Sequence, residues 1–381
     1  MSVKRAIQRA VRSIMPYGVI ALHRRIKKQK RVQETEIENP RFMPAFWDYL
    51  NSSEYVQLVD QCPFKQVVSV QGFGYSGSGA VVDLLREYDG NMVVGFVDKE
   101  GSLVDKTKVF SYEVDILRLA GGLLEFEKYL ECNNLFQNDA LLHRFVALVE
   151  HADLYIQVPQ VRPYLYEFFR NITELYHRDK IIGRHNNPHL DYNGNNEIIF
   201  LKEMKVSEYR LLSRKLLYSL FKIYKVDSNC DTLVLDQFIG DFEFDMARNL
   251  EYVPELKMIT VYRDPRDVYT FARRVNEEWI AHGDAQLFVD WYKRIMACYD
   301  IHENKKYLVV RFEELVNDYE NIVAKIENYL QLDPVYHKHF KSAFDPSVSA
   351  KNVGVWCVEK GLDKDYEYIE NQLNAICYNG I

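Results

Sequence analysis

The stretch VVSVQGFGYSGSGAVVDLL, Val67 to Leu85, constrains the fold of this chain more than any other. An apolar run passes into eight residues, Gly72 to Gly79, holding four glycines and two serines, and then into a second apolar run. A loop of this kind joins a buried strand to the first turn of a helix. Backbone N–H groups converge there, and the helix dipole adds positive potential. Glycine lets such a backbone take positive φ and come close to a ligand. The expectation is an anion cradle. Gly72 and Gly77 have the spacing of a nucleotide-hydrolysing phosphate loop, but Ser78 and Gly79 stand where Lys and Ser/Thr belong. Without that lysine and a hydroxyl for magnesium, hydrolysis of ATP or GTP is not expected. Gly72, Gly74 and Gly77 also spell GxGxxG, yet Asp89 is a poor match for the acid that a dinucleotide site places about 20 residues on. The plain alternative is a strand–helix turn that holds nothing.

Short apolar, β-branched segments recur at Gln66–Gln71, Asn91–Val97, Thr232–Leu235, Lys257–Tyr262 and Tyr307–Phe312. They read as strands buried on both faces of a parallel sheet. Helical periodicity lies between them, at Ala80–Tyr88, Asn321–Leu330 and Tyr366–Cys377. The alternation predicts an α/β fold: a three-layer, parallel-sheet, P-loop-like domain over 41–381. Residues 111–225 read mostly as helix, a large insertion interrupted by the polar loop HNNPHLDYNGNNE.

Residues 1–40 are of another kind. The net charge is −7, but residues 1–31 hold ten Lys or Arg and no acid, which leaves the remainder at −17. Ile7, Val11, Ile14, Met15 and Leu22 share one face of a helical wheel, with Arg5, Arg9 and Arg12 opposite. A basic amphipathic amino-terminal helix suits an anionic membrane surface, although Pro16 interrupts it. The plain alternative is a helix on the acidic body or in solvent. The acidic remainder and the lack of any nucleic-acid motif argue against nucleic-acid partners. Six widely spaced cysteines without a CxxC pair fit a reducing compartment, and no metal is expected. The expected location is cytoplasmic, peripheral on the inner face of a membrane.

A second informative stretch is MITVYRDPRDVYTFARR, Met258 to Arg274. A strand ends near Arg263, Pro265 breaks it, and Asp267 is placed to cap the next helix. An arginine at the carboxyl end of a parallel strand sits at the ligand-binding rim, and its fork suits a phosphate. Arg266 is expected to pair locally with Asp264 and Asp267. A third stretch, YLVVRFEELVNDYENIVAKIENYLQL (307–332), looks structural by itself. Together, and with SAKNVGVW (349–356), the order of parts resembles the sulfotransferases that use 3′-phosphoadenosine 5′-phosphosulfate (PAPS), of the bacterial and Golgi-like carbohydrate type. The likeness covers about 66–88, 232–275, 306–332 and 349–356.

That resemblance implies a cradle for the 5′-phosphosulfate at Gly74, Tyr75, Ser76, Gly77, Ser78, Gly79 and Ala80. It further implies that Arg263 holds the 3′-phosphate of PAPS and of the product PAP, with Lys351 assisting. Arg263→Ala is then expected to weaken binding with little effect on folding. Three departures stand out: Tyr75 replaces the family's Lys or Arg; Phe271 replaces a serine, leaving Thr270 as the nearest hydroxyl; and the two phosphate motifs lie further apart than in the small cytosolic members, consistent with the helical insertion. The implied reaction is in-line transfer of a sulfuryl group to a hydroxyl or amine, the acceptor being a glycan or lipid-linked glycan. Asp98, Glu100, Asp236 and His185 are alternative candidates for the base, none of them singled out. A P-loop-type kinase is the alternative enzyme. A non-catalytic nucleotide-binding protein at the membrane is the reading that Tyr75 favours.

Overall fold

The computed structural model describes residues 41–52, 54–94, 123, 126–127, 138–150, 155, 159–177, 197–225, 229–238, 250–277, 280, 283–298 and 307–380. Its centre is a five-stranded, all-parallel sheet in the order β2-β5-β1-β6-β7. The strands are β1 (Gln66–Gln71), β2 (Asn91–Val93), β5 (Thr232–Asp236), β6 (Leu256–Tyr262) and β7 (Tyr307–Arg311). Val70 pairs with Asp236 of β5, and Gln71 with Thr260 of β6, so the carboxyl ends of the three central strands finish at one rim.

The strands are apolar throughout because both faces are covered. Val67, Leu233, Leu235 and Met258 face one core, packed under α1 (Phe42–Asn51), α3 (Asn138–Glu150), α4 (Arg162–Ile172) and α5 (Val206–Tyr224). Val68, Val70, Val234, Ile259 and Val261 face the other, under α2 (Ser78–Leu85) and α9 (Tyr319–Leu330). Neighbouring residues alternate between the two cores, as the pleat requires. Each such side chain removed from water stabilises the sheet by roughly 1.5–3 kcal/mol. A third cluster joins α6 (Pro265–Val275), α7 (Ala285–Cys298) and α10 (Asp363–Leu373) around Phe73 and Tyr292. The short helix α8 (Phe312–Asn317) follows β7 directly, so Phe312 opens a helix instead of closing a strand.

Within the described part of residues 111–225 the structure departs from an all-helical block. Thr173–His177 (β3) and Glu197–Leu201 (β4) form an antiparallel pair. The strand expected to reach Val97 is described only to Val93, and residues 1–40 lie outside the described residues. No helix among the described residues is long and apolar enough to cross a membrane.

Strand order places the ligand crevice. From β1 the chain leaves through α2 towards β2, beyond β5; from β6 it leaves through α6 and α7 towards β7, on the opposite side. The connections therefore diverge between the carboxyl ends of β1 and β6, the position at which open α/β sheets hold their ligands. The glycine loop and Arg263 flank that gap.

Candidate functional site

The glycine loop owes its shape to two left-handed residues, Tyr75 at φ 64° and Gly77 at φ 92°. Ser76 N–H donates to Phe73 O at 2.9 Å and Ala80 N–H to Gly77 O at 3.0 Å. The Ala80 amide is thereby used up. The amides of Gly77, Ser78 and Gly79 have no acceptor among the described residues, and α2 begins with no side-chain cap. A Cβ on Gly72 would overlap Ser76 Oγ, and one on Gly77 would overlap the Phe312 ring. One on Gly79 would meet nothing, so space lies over the first turn. Ser76 Oγ is buried and has no partner.

Asp236 ends β5 beside this turn. Burial pushes its carboxyl up to about 7, the nearby Asp83 adds to the shift, and the Ser78 hydroxyl opposes it. Its Oδ1 is buried and unpartnered. Of the four candidate bases, Asp236 is the one within the described residues; Asp98, Glu100 and His185 lie outside them.

Arg263 borders the gap but is built into the protein. Its Nη1 donates to Tyr75 O at 3.3 Å, and its Nη2 to Asn352 O and, at 3.4 Å, to Asp267 Oδ2. The guanidinium lies between the rings of Phe271 (4.5 Å) and Phe312 (5.0 Å), and Tyr75 stacks on Phe271 at 6.2 Å. Its Nε is buried without a partner. The Tyr75 hydroxyl points elsewhere and donates to Glu277 at 2.9 Å.

Asp264, not Asp267, caps α6. Its Oδ1 accepts from Arg266 N–H at 2.8 Å, because Pro265 occupies the first helical position and sets the cap one residue before itself. Asp267 is buried in the first turn and accepts the amides of Gly354 (2.9 Å) and Trp356 (3.1 Å). Burial raises its pKa, and Arg263 pulls it back. Residues 345–362 thus form a strap across the helix start. Arg266 pairs with Asp264 (2.7 Å) and Glu370 (2.9 Å), and its guanidinium lies 3.9 Å from the centre of the Trp356 ring. The expected local pairing of Arg266 holds for Asp264 alone.

Two other carried-over residues lie outside the loop. Thr270 donates to Arg266 O and shares a second hydrogen bond with Tyr366, both at 2.7 Å, so its hydroxyl belongs to the contact between α6 and α10. Lys351 is exposed on the strap, one residue before the carbonyl that Arg263 holds.

Glu313 is the residue that sequence reasoning missed. It is fully buried at the start of α8, and its Oε1 accepts Asp264 N–H at 2.8 Å. Burial pushes its carboxyl up to about 7, against the pull of the Asp264 amide and of Arg263. Its Oε2 has no partner. The signal was an acid one residue into the helix after β7, the strand beside the RDPRD strand.

Among the described residues no three His, Cys, Asp or Glu side chains stand together as metal ligands. Buried polar atoms without partners do gather at this rim: Ser76 Oγ, Asp236 Oδ1, Thr260 Oγ1, Arg263 Nε and Glu313 Oε2. Buried polar atoms are normally paired, and exceptions cluster where a ligand or water completes the set.

No protein-family model matches the chain, and no curated protein does. Solved structures do align with it. The sulfotransferase domain of the Synechococcus PCC 7002 olefin synthase aligns over 84% of this chain and 98% of its own, at 12% identity and TM-score 0.36. Sulfotransferase STF1 from Mycobacterium tuberculosis H37Rv aligns over 82% and 81%, at 11% and 0.34. Sulfotransferase STF9 from Mycobacterium avium aligns over 88% and 81%, at 10% and 0.35. With overlap this distant, the function has to be read from the crevice itself.

Proposed function

We propose that this protein is a sulfotransferase that draws on PAPS, and one observation carries the reading. At the gap between β1 and β6, a lysine-free glycine loop offers unbonded first-turn amides beside buried, unpartnered polar atoms. This donor set fits a phosphosulfate, which is anionic and requires no metal. The residues that would hold it are those of the loop from Gly74 to Gly79, chiefly through the amides of Gly77, Ser78 and Gly79 and through Ser76 Oγ, with Arg263 after β6 and Lys351 on the strap. Bound there, PAPS supplies an activated sulfuryl group on a phosphate leaving group.

The loop amides are fixed before any ligand arrives, so they stabilise oxygens that gain charge without reorganising. We assign to Asp236 the role of taking a proton from an acceptor hydroxyl, supported by its unpartnered Oδ1 beside the loop. Burial has moved it to about 7, where it both accepts and releases a proton near neutrality. We assign the acceptor to glycans or lipid-linked glycans. That choice is supported by the basic amino-terminal segment and the large insertion.

One observation favours a kinase instead. A strand-end carboxylate beside a loop hydroxyl, here Asp236 beside Ser78, is the pair that holds magnesium in P-loop enzymes. Thermal melting separates the two. PAP is expected to raise the melting temperature without metal, and Asp236→Asn is expected to keep that shift. A shift with ATP and magnesium alone, lost in Asp236→Asn, would give the site to a kinase.

A further inference from the structure

A buried carboxylate just past the end of α2 holds a surface loop in one shape. Glu87, fully buried, accepts the amides of Lys341 (2.9 Å), Ala343 (2.7 Å) and Phe344 (2.9 Å), and its Oε2 lies 2.8 Å from His337 Nε2. Two backbone bonds add to this, His339 N–H to Glu87 O and Asp89 N–H to Tyr336 O. The His337 ring stacks on Tyr88 at 4.2 Å, and Lys341 takes a left-handed φ of 53°. The loop is pinned.

What it presents is unusual for a pinned loop. Val335, Tyr336 and Phe340 are 55%, 54% and 52% exposed. Large apolar side chains fixed in water are unfavourable; Phe340 touches Tyr319 (5.7 Å) and His337 (5.2 Å) edge-on and still leaves half its surface exposed. Lys338 and Lys341 stand among them; no carboxylate of the described residues lies within salt-bridge distance of either, and the Lys341 charge is felt by Asp345. The Lys341 ammonium lies 5.0 Å from the ring centres of both Phe340 and Tyr319. Residues 334–344 contain no acid, Asp333 and Asp345 flank them, and the neighbouring Asp89 lies 3.4 Å from His339. Apolar tips beside two exposed lysines match the headgroup layer of an anionic bilayer: rings enter the boundary while lysine stems lie along it and ammoniums reach phosphates.

We propose that the loop Val335–Lys341 is a docking surface for an anionic lipid bilayer. It acts in addition to residues 1–31 and does not depend on the donor nucleotide. Tyr336 lies beside Asp89, just before β2, and Phe340 and Lys341 lie against Tyr319 at the start of α9, so the loop runs along the layer formed by α2 and α9.

The test uses the full chain with vesicles of phosphatidylcholine, alone or in equal parts with phosphatidylserine. The mixed vesicles are expected to bind and to protect the amides of 335–341 from exchange. Val335→Ser with Phe340→Ser should weaken that binding roughly tenfold, as should Lys338→Glu with Lys341→Glu, at unchanged melting temperature. The proposal is overturned if the wild type does not bind mixed vesicles, or if either double variant binds like the wild type. Protection of the same amides by rising protein concentration alone would assign the surface to a second copy and overturn it equally.

Discussion

Gly77 and Gly79 stand two residues apart and answer to different demands. Gly77 sits at positive φ against the Phe312 ring, so Gly77→Ala adds backbone strain to an overlap. It should cost about 2–4 kcal/mol, read by denaturant unfolding. Gly79 is helical with open space at its Cβ. Gly79→Ala should therefore leave stability unchanged or raise it by up to about 1 kcal/mol. The same methyl would crowd the anion's place, so the PAP-induced shift in melting temperature should shrink. Glu313 supports a pH prediction. Its carboxyl is raised by burial to about 7 in the folded chain and titrates near 4 when unfolded. Between those values the unfolded chain loses its proton first, so this group's contribution to stability is complete below about pH 4 and falls as pH rises to about 7. Glu313→Gln keeps an acceptor for Asp264 N–H and removes the titration. The melting temperature of the variant relative to wild type should climb from pH 4 to pH 7; a flat difference would show that Glu313 does not titrate in that window.

At the level of elements, the parallel strands were legible because burial on both faces writes one continuous apolar run per strand. The glycine loop was legible for a similar reason, since a strand, a glycine cluster and a helix must adjoin in sequence. The antiparallel pair β3–β4 was not. Its short segments, TELYH and EIIFL, lie inside a helical stretch, and their partners are set by packing on α3 and α4. The role of Arg263 was legible only in part. Its place at a strand end followed from the RDPRD pattern, but its carbonyl partners come from residues far along the chain, which no local pattern encodes. Arg263→Ala should accordingly cost stability, about 3–5 kcal/mol, because it leaves the buried Asp267 carboxylate without its cation, with the amides of Gly354 and Trp356 as its remaining donors. The expectation of little effect on folding is revised on that ground. Asp267→Ala should loosen the strap in turn, since the amides of Gly354 and Trp356 lose their acceptor. Limited proteolysis is expected to cut within 349–358 sooner than in the wild type.

The whole molecule divides its surface between a rim and a layer. The carboxyl ends of the strands carry the glycine loop, Asp236 and the strap; the layer formed by α2 and α9 carries the pinned loop around Glu87. Removing residues 1–31 takes away ten positive charges and leaves a body at −17. That truncation should weaken binding to anionic vesicles and leave the PAP-induced thermal shift intact, since no described part of the crevice draws on those residues. Unchanged vesicle binding would place the whole interaction in the loop at 335–341. Arg263 carries a last consequence. Its guanidinium grips a carbonyl 188 residues earlier and another 89 residues later. A ribosome that has released β6 has therefore not yet made the segment that clasps the crevice. The clasp on Arg263 thus closes only once the chain has been made as far as Asn352, well after both strands that flank the crevice.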